Sequence, residues 1–550
     1  MPRQPHGGQD PDGDDDRRRA LQLDRPEPAR RNEGPGGKRR QLRLLQLPRL
    51  RGLAGGGRPG QPSGKDIQSP ILHATTAGQS GHPSDSDTVH NSSTEYTNAA
   101  FGNSLGVAAG TGQRHAACLD CHDPHEAAKA ADAAAVTAGT VAIPTATVTC
   151  PATMGSGSNC RTATGAATAW TSGMVGWKLW VGTAWFTVVQ YTSATSLMVY
   201  PSTSAVTAVA AGSAYTLRPY YRATNVAAPA IQGAWGAQLT SNPAAFTAPT
   251  TANFTKKVIA SGTDLEATLC FKCHSGYYWG TGTPPVARSG FTYITGTATA
   301  ASGGTAVTGA GTTWTAAHVG ANIKNNTLGI WHKITAFTSA TAITISPAAT
   351  GAWSGAYTIQ QAETDVAKEF NPTNVSFHPV LATASGNLGA TGNILPPYSR
   401  TSLMQCTDCH DSDASTDPNG PHGSAAKFIL KGPNTTWSSA VIMGSTGMPA
   451  GTFCANCHRP DFAGSRFTQH FSKSQHRIAC FNCHAAVPHG GPRPGMLVAG
   501  GGAATPVAGW DTAAPYWQGT TSDRLYIVSY PTNNTTAWAQ SNCGCNGTSH

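Results

Sequence analysis

The chain has 550 residues, of which 39% are hydrophobic and 12% charged, against about 45–50% and 25% in an ordinary globular protein. With 62 Gly and 37 Pro a single large aliphatic core is excluded, while 13 Trp, 14 Tyr and 15 Phe exclude the aromatic-poor signature of disorder. The formal charge is +9, but residues 1–64 hold +6 of it and the remainder only +3, so most of the chain lacks the basic footprint of a nucleic-acid binder.

Residues 1–64 are rich in Arg, Pro and Gly, as in DDDRRR and GGKRRQLRLLQLPRLRG, with no Cys and no aromatic residue. They read as an atypical basic low-complexity segment, either a disordered tail or a stretch translated in a wrong frame. Leu codons of the form CTG followed by codons beginning with C conceal the Cys codon TGC one base out of register, and His73, His82 and His90 follow shortly after. No run of 18 apolar residues marks a transmembrane helix, and no apolar h-region marks a secretory signal.

Residues 65–139 contain Cys118-Leu-Asp-Cys121-His122, and residues 219–292 contain Cys270-Phe-Lys-Cys273-His274. After each comes a Thr- and Trp-rich module, 140–218 and 293–360. The two modules match at Trp170-Thr171 and Trp314-Thr315, Val175-Gly176 and Val319-Gly320, Trp185 and Trp331, Pro201 and Pro347, which marks a duplication. Alternating segments such as WFTVVQY and WHKITAF, each followed by a TSAT turn, predict antiparallel hairpins. Residues 361–500 then hold three motifs in 79 positions: Cys406-Thr-Asp-Cys409-His410, Cys454-Ala-Asn-Cys457-His458 and Cys480-Phe-Asn-Cys483-His484. Residues 501–550 form a C-terminal segment with Cys543-Gly-Cys545 and His550, which reads as an atypical haem or metal site or as a structural pair. Cys150 and Cys160 flank a Gly/Ser turn and are expected to form a disulfide, as suits an oxidising compartment.

Ten of the 14 Cys thus fall into five copies of Cys-x-x-Cys-His, where chance placement gives about 0.01 copies. Two thiols three residues apart can add to the two vinyl groups of one haem, and the next residue presents an imidazole to the iron. Zinc knuckles fit poorly, because five single knuckles, each followed by His, do not make four-ligand sites. A thioredoxin-like redox pair needs a βαβ context and does not recur five times. The expected cofactor is haem c, at least five, with His122, His274, His410, His458 and His484 as proximal ligands. Enough other histidines exist for a second ligand on every iron: His82, His115, His125, His378, His422, His470, His476 and His489. His125 and His489 sit too close to their own motifs to reach the opposite face of the same haem, so a neighbouring haem is the expected target. Met404, Met443 and Met448 show no recurrent placement. Low-potential bis-His haems are therefore expected.

The stretches CLDCHDPHE, CTDCHDSDASTDPNGPHGS and HRIACFNCHAAVPHGGPRPGML, with GHPS near residue 82 and FHPV near 378, resemble the multihaem c-type cytochromes of metal-reducing bacteria. The resemblance covers roughly 65–125, 264–290 and 365–500. It implies electron transfer toward an outer-surface or extracellular acceptor, with other cytochromes, redox proteins or a metal oxide as partners. A homo-oligomer or filament, and a periplasmic, outer-membrane-surface or extracellular location, belong to the same expectation. The alternative is a multihaem reductase with one open-site catalytic haem, disfavoured because every proximal residue is His. The dense motifs predict a mostly irregular fold, with short helices around closely packed haems and two inserted antiparallel β modules.

Overall fold

The computed structural model describes residues 80–82, 118–128, 134–154, 159–202, 207–275, 290–383, 394–412, 419–437, 448–459, 479–499 and 507–518. The chain divides into a unit of residues 1–64 and one of 65–550, and all described residues belong to the second. The expectations for residues 1–64, His73, His90, His115, His470, His476, Cys543, Cys545 and His550 concern residues outside those described.

Strand β1 (Ser80–Gly81) precedes a seven-stranded antiparallel sheet. That sheet comprises β2 (Thr140–Ile143), β3 (Arg161–Ala166), β4 (Lys178–Val181), β5 (Ala184–Ser193), β6 (Ser196–Pro201), β7 (Val209–Ser213) and β8 (Thr216–Arg218). Its spatial order is β7-β2-β3-β6-β5-β4-β8. A hairpin of β9 (Trp235–Leu239) and β10 (Phe254–Val258) follows. The second large sheet contains β11 (Phe291–Tyr293), β12 (Thr297–Ala300), β13 (Ala306–Ala310) and β14 (Asn322–Asn325). It continues through β15 (Ile330–Ser339), β16 (Ala342–Ser346), β17 (Trp353–Gly355) and β18 (Tyr357–Gln361). Read from β17, its order is β17-β12-β13-β16-β15-β14-β18-β11, the first sheet's order with one edge strand added.

The duplication extends to the cores. β5 is buried on both faces from Trp185 to Val189, and the core of each module closes over a buried Trp that donates from its indole to a Tyr hydroxyl. These pairs are Trp170 to Tyr215 at 3.0 Å and Trp314 to Tyr357 at 2.9 Å. Each Tyr passes the bond on to a carbonyl, of Ala138 at 2.7 Å or Thr295 at 2.6 Å. Buried tryptophans and tyrosines with satisfied polar ends supply much of what few aliphatic residues cannot. Cys150 and Cys160 are joined, with Cα atoms 5.2 Å apart, and pack with Met154, Val189, Tyr200 and Leu395.

The expectation of a mostly irregular fold with short helices around packed haems is overturned. The described residues are dominated by antiparallel β-structure, and their α-helices are three short segments: α1 (Cys118–Cys121), α2 (Ala267–His274) and α3 (Val366–Glu369). The reason lies partly in the Thr-, Val- and Ile-rich strands, whose branched side chains favour extended backbone. The motif-bearing stretches add ladders of their own, β1 with β20 (Gly423–Ser424) and β19 (Ser376–Phe377) with β21 (Gly490–Gly491). No helix among the described residues is long and apolar enough to cross a membrane.

Candidate functional site

Each motif is wound into about one turn of helix. The first two occupy α1 and α2, and the other three are 3-10 turns at Cys406–Asp408, Phe453–Asn456 and Cys480–Asn482. In the last three the histidine N–H donates to the carbonyl of the first Cys, at 2.9 Å in each case (His410, His458, His484). This closure brings the two thiols to one side of the turn and sends the imidazole out beyond them.

Four motif histidines each face a histidine from a distant stretch of chain. Ring centroids are 6.1 Å apart for His122 and His422, 6.1 Å for His274 and His82, 6.0 Å for His410 and His489, and 6.3 Å for His458 and His378. The histidines opposite are set by the two short ladders. The N–H of His82 donates to the carbonyl of His422 at 3.1 Å, and that of His378 to the carbonyl of His489 at 2.9 Å. One ladder therefore serves two motifs at once. His125, by contrast, is 91% exposed and lies 3.5 Å from Asp123 on the surface, so this expected ligand faces solvent. Of the remaining candidates for a second ligand, His115, His470 and His476 lie outside the described residues.

Nδ1 atoms are turned away to fixed acceptors. His82 donates to Pro421 O at 2.6 Å, His122 to Ala230 O at 2.7 Å, His410 to Phe428 O at 2.8 Å and His484 to Gly495 O at 3.2 Å. His378 donates to Pro488 O. His489 alone of these six donates to a carboxylate, Glu369 Oε2, at 2.6 Å. Such bonds fix the tautomer, with the proton on Nδ1. Burial pushes the His274 imidazole down to about 3, with help from His82, His410 and His489. Burial likewise takes His410 and His458 to about 4. These rings are neutral at neutral pH, so no proton must be displaced before they bind a metal.

The thiols of Cys409, Cys454 and Cys457 are held protonated by their surroundings. Burial pushes Cys454 and Cys457 up to about 12 and raises Cys409 well above its ordinary value. Buried thiols of this kind are poor nucleophiles, unlike the depressed thiols of redox enzymes. Among the described residues no three His, Cys, Asp or Glu side chains converge as a metal-binding set.

No family model, curated protein or solved structure matches this chain.

The five motif turns adjoin one another in sequence order. Lys272 of the second motif donates to Asp120 O of the first at 2.6 Å. Glu266, just ahead of α2, accepts from Thr407 of the third motif, from Oγ1 at 2.7 Å and from N at 3.1 Å, and the Cys406 thiol meets that of Cys270. Asn434 and Asn456 tie the third to the fourth through a backbone-to-side-chain pair at 3.2 and 2.8 Å, since Lys431 N–H also donates to Cys409 O at 2.8 Å. Trp437 packs between Phe453 and Phe481, with centroids at 5.6 and 5.0 Å, and joins the fourth to the fifth.

Glu266 gives this junction a pH dependence. Burial raises its carboxyl to about 7 from an ordinary 4.5, against the pull of the two bonds from Thr407. Between those values the unfolded chain has released the proton while the folded one keeps it, so stability falls as pH rises through that window, by about 3 kcal/mol. Glu266→Gln is expected to flatten this decline in denaturation curves taken from pH 4 to 8. An unchanged slope would show that Glu266 ionises normally.

The third and fifth motifs share a support that the sequence analysis did not identify. Pro421-His422-Gly423 and Pro488-His489-Gly490 are each followed, eight residues after the His, by Leu430 or Leu497. These leucines form bridges to His410 and His484. Phe428 and Gly495 take left-handed φ of 67° and 60°, which turns their carbonyls to the imidazoles of those same two histidines. The signal available in the sequence was the repeated Pro-His-Gly.

The first β module docks on the fourth motif, and the second reaches the fifth through residues 507–518. In the first, fully buried Lys178 of β4 donates to Thr187 Oγ1 at 2.6 Å and to Asn456 O at 3.1 Å, and burial lowers it to about 7. From the motif side, Arg459 donates to Met154 O at 2.7 Å. In the second, Asn322, at the position equivalent to Lys178, donates to Thr512 O and Trp517 O, both at 2.9 Å. That segment, 507–518, bonds in turn to the fifth motif, Ala486 N–H donating to Tyr516 O at 2.6 Å.

Proposed function

We propose that the chain is a multihaem c-type cytochrome that carries electrons along at least five covalently bound haem c groups. The observation that supports this most directly is the set of four histidine pairs. A metal–imidazole bond is about 2 Å long, so two imidazoles on opposite faces of one metal stand with ring centres roughly 6 Å apart. The observed separations are 6.0–6.3 Å. Two protein ligands suffice where a macrocycle supplies the other four, and haem, when bound, supplies the redox couple.

The protein's part is placement. Cys118 and Cys121, Cys270 and Cys273, Cys406 and Cys409, Cys454 and Cys457, and Cys480 and Cys483 would anchor one group each. His122, His274, His410, His458 and His484 would bind on one face, with His422, His82, His489 and His378 opposite the first four. Paired neutral imidazoles favour low potentials. The run of adjoining motif turns offers a path in sequence order. The Cys150–Cys160 disulfide fits an oxidising compartment, in line with a periplasmic or cell-surface location. Other cytochromes, redox proteins or a metal oxide would then be the partners.

Intact-mass measurement of the exported protein, with a reduced-minus-oxidised spectrum, tests this. At least five haem additions are expected, and Cys454→Ala with Cys457→Ala is expected to remove one. A mature chain with no additions would overturn the proposal.

A further inference from the structure

Among the motif histidines and those facing them, His489 stands apart in its Nδ1 partner. His82, His122, His378, His410 and His484 donate to neutral backbone carbonyls, whereas His489 donates to Glu369 Oε2 at 2.6 Å. Glu369 is 1% exposed and ends α3. Its other oxygen accepts from the Tyr516 hydroxyl at 2.6 Å, so both oxygens are occupied and the carboxylate cannot swing away. Two further contacts hold the pair. A Cβ on Gly490 would fall 2.2 Å from the Glu369 carbonyl oxygen, so only glycine lets the His489 strand approach. The Phe370 ring packs on the imidazole with centroids 4.7 Å apart.

We propose that Glu369 sets the potential of one centre, the haem of Cys406, Cys409 and His410, by polarising the second imidazole, His489. This rests on the cytochrome reading above. A hydrogen bond to a charged acceptor is roughly twice as strong as one to a carbonyl, and a carboxylate behind a ligating histidine raises that ligand's basicity. Partial transfer of the Nδ1 proton toward Glu369 gives the ring histidinate character, a stronger donor that favours the ferric state. The third centre in the line then lies below the potential it would have with a carbonyl partner. Glu369 is a positioning and polarising residue, since it would touch the ligand and not the iron.

The test uses the haem-loaded full chain. Glu369→Gln keeps the shape and both hydrogen-bonding positions but removes the charge. In a spectropotentiometric titration one component is expected to move upward by about tenfold in its reduced-to-oxidised ratio, 59 mV for one electron, with the others unmoved. Glu369→Asp, which retains the charge at shorter reach, is expected to give a smaller shift. Should Glu369→Gln fail to load, the wild-type ferric protein decides: one centre is expected to show its near-infrared charge-transfer band at higher energy than the others, as histidinate ligation gives. Full haem loading with unmoved potentials, or with coincident near-infrared bands, overturns this inference alone. Absence of haem from the wild type overturns the cytochrome reading as well.

Discussion

His378→Ala is expected to convert one low-spin centre of the loaded protein to high spin, and added imidazole is expected to restore it. The reasoning starts from the ladder. The backbone bond from His378 N–H to His489 O, and the pairing of Ser376 and Phe377 with Gly491 and Gly490, do not depend on the side chain. Alanine therefore removes the imidazole and its bond to Pro488 while keeping the scaffold. A ring-sized space opens opposite His458, large enough for a free imidazole. Loss of a nitrogen donor also raises the midpoint of that centre. His82→Ala should act in the same manner on the centre of His274. Electron paramagnetic resonance distinguishes the outcomes: a fully loaded His378→Ala protein with no high-spin signal would mean that His378 is not a ligand.

The second large effect concerns stability. Asp511 has no exposed side-chain surface and accepts from Arg493 Nε at 3.2 and 3.1 Å and from Nη2, as well as from Ala499 N–H at 2.7 Å and Val507 N–H at 2.8 Å. Asp511→Ala would take the carboxylate from a nearly buried guanidinium and from two amides, a loss of about 3–5 kcal/mol for a broken buried pair. The consequence is local before it is global. Segment 507–518 would leave the fifth motif, exposing Trp510 and Tyr516, which are fully buried in the native fold. Limited proteolysis near residue 507 and a lower denaturation midpoint are expected, and a change below about 1 kcal/mol would contradict this account.

What the sequence made legible was whatever is local. The Cys-x-x-Cys-His turns are set by residues within one turn of helix, and the two modules betray themselves because Trp170 and Trp314 recur with their neighbours. His82, His378, His422 and His489 could be nominated from their Pro and Gly neighbours, yet not matched to partners. Those matches depend on two-residue ladders joining stretches more than 100 positions apart, as between Ser80 and Ser424, and such pairing has no periodic signature. His125 looked as plausible as His489 in the sequence, and only burial separates them. Glu369 and Lys178 carry no pattern at all, since each acts on residues more than 100 positions away in the chain.

The two ladders also dictate an order of assembly. Residues 421–424 hold His82 in place and supply His422, and residues 488–491 do the same for His378 and His489. His122 meets its partner only 300 residues further along the chain. None of the four pairs is held in place until the chain has entered its last quarter, however early the first motifs emerge. The earliest motifs must wait with one imidazole each while the chain between them folds. Contacts of such long range make for slow closure, slower than the pairing of neighbouring strands within either β module.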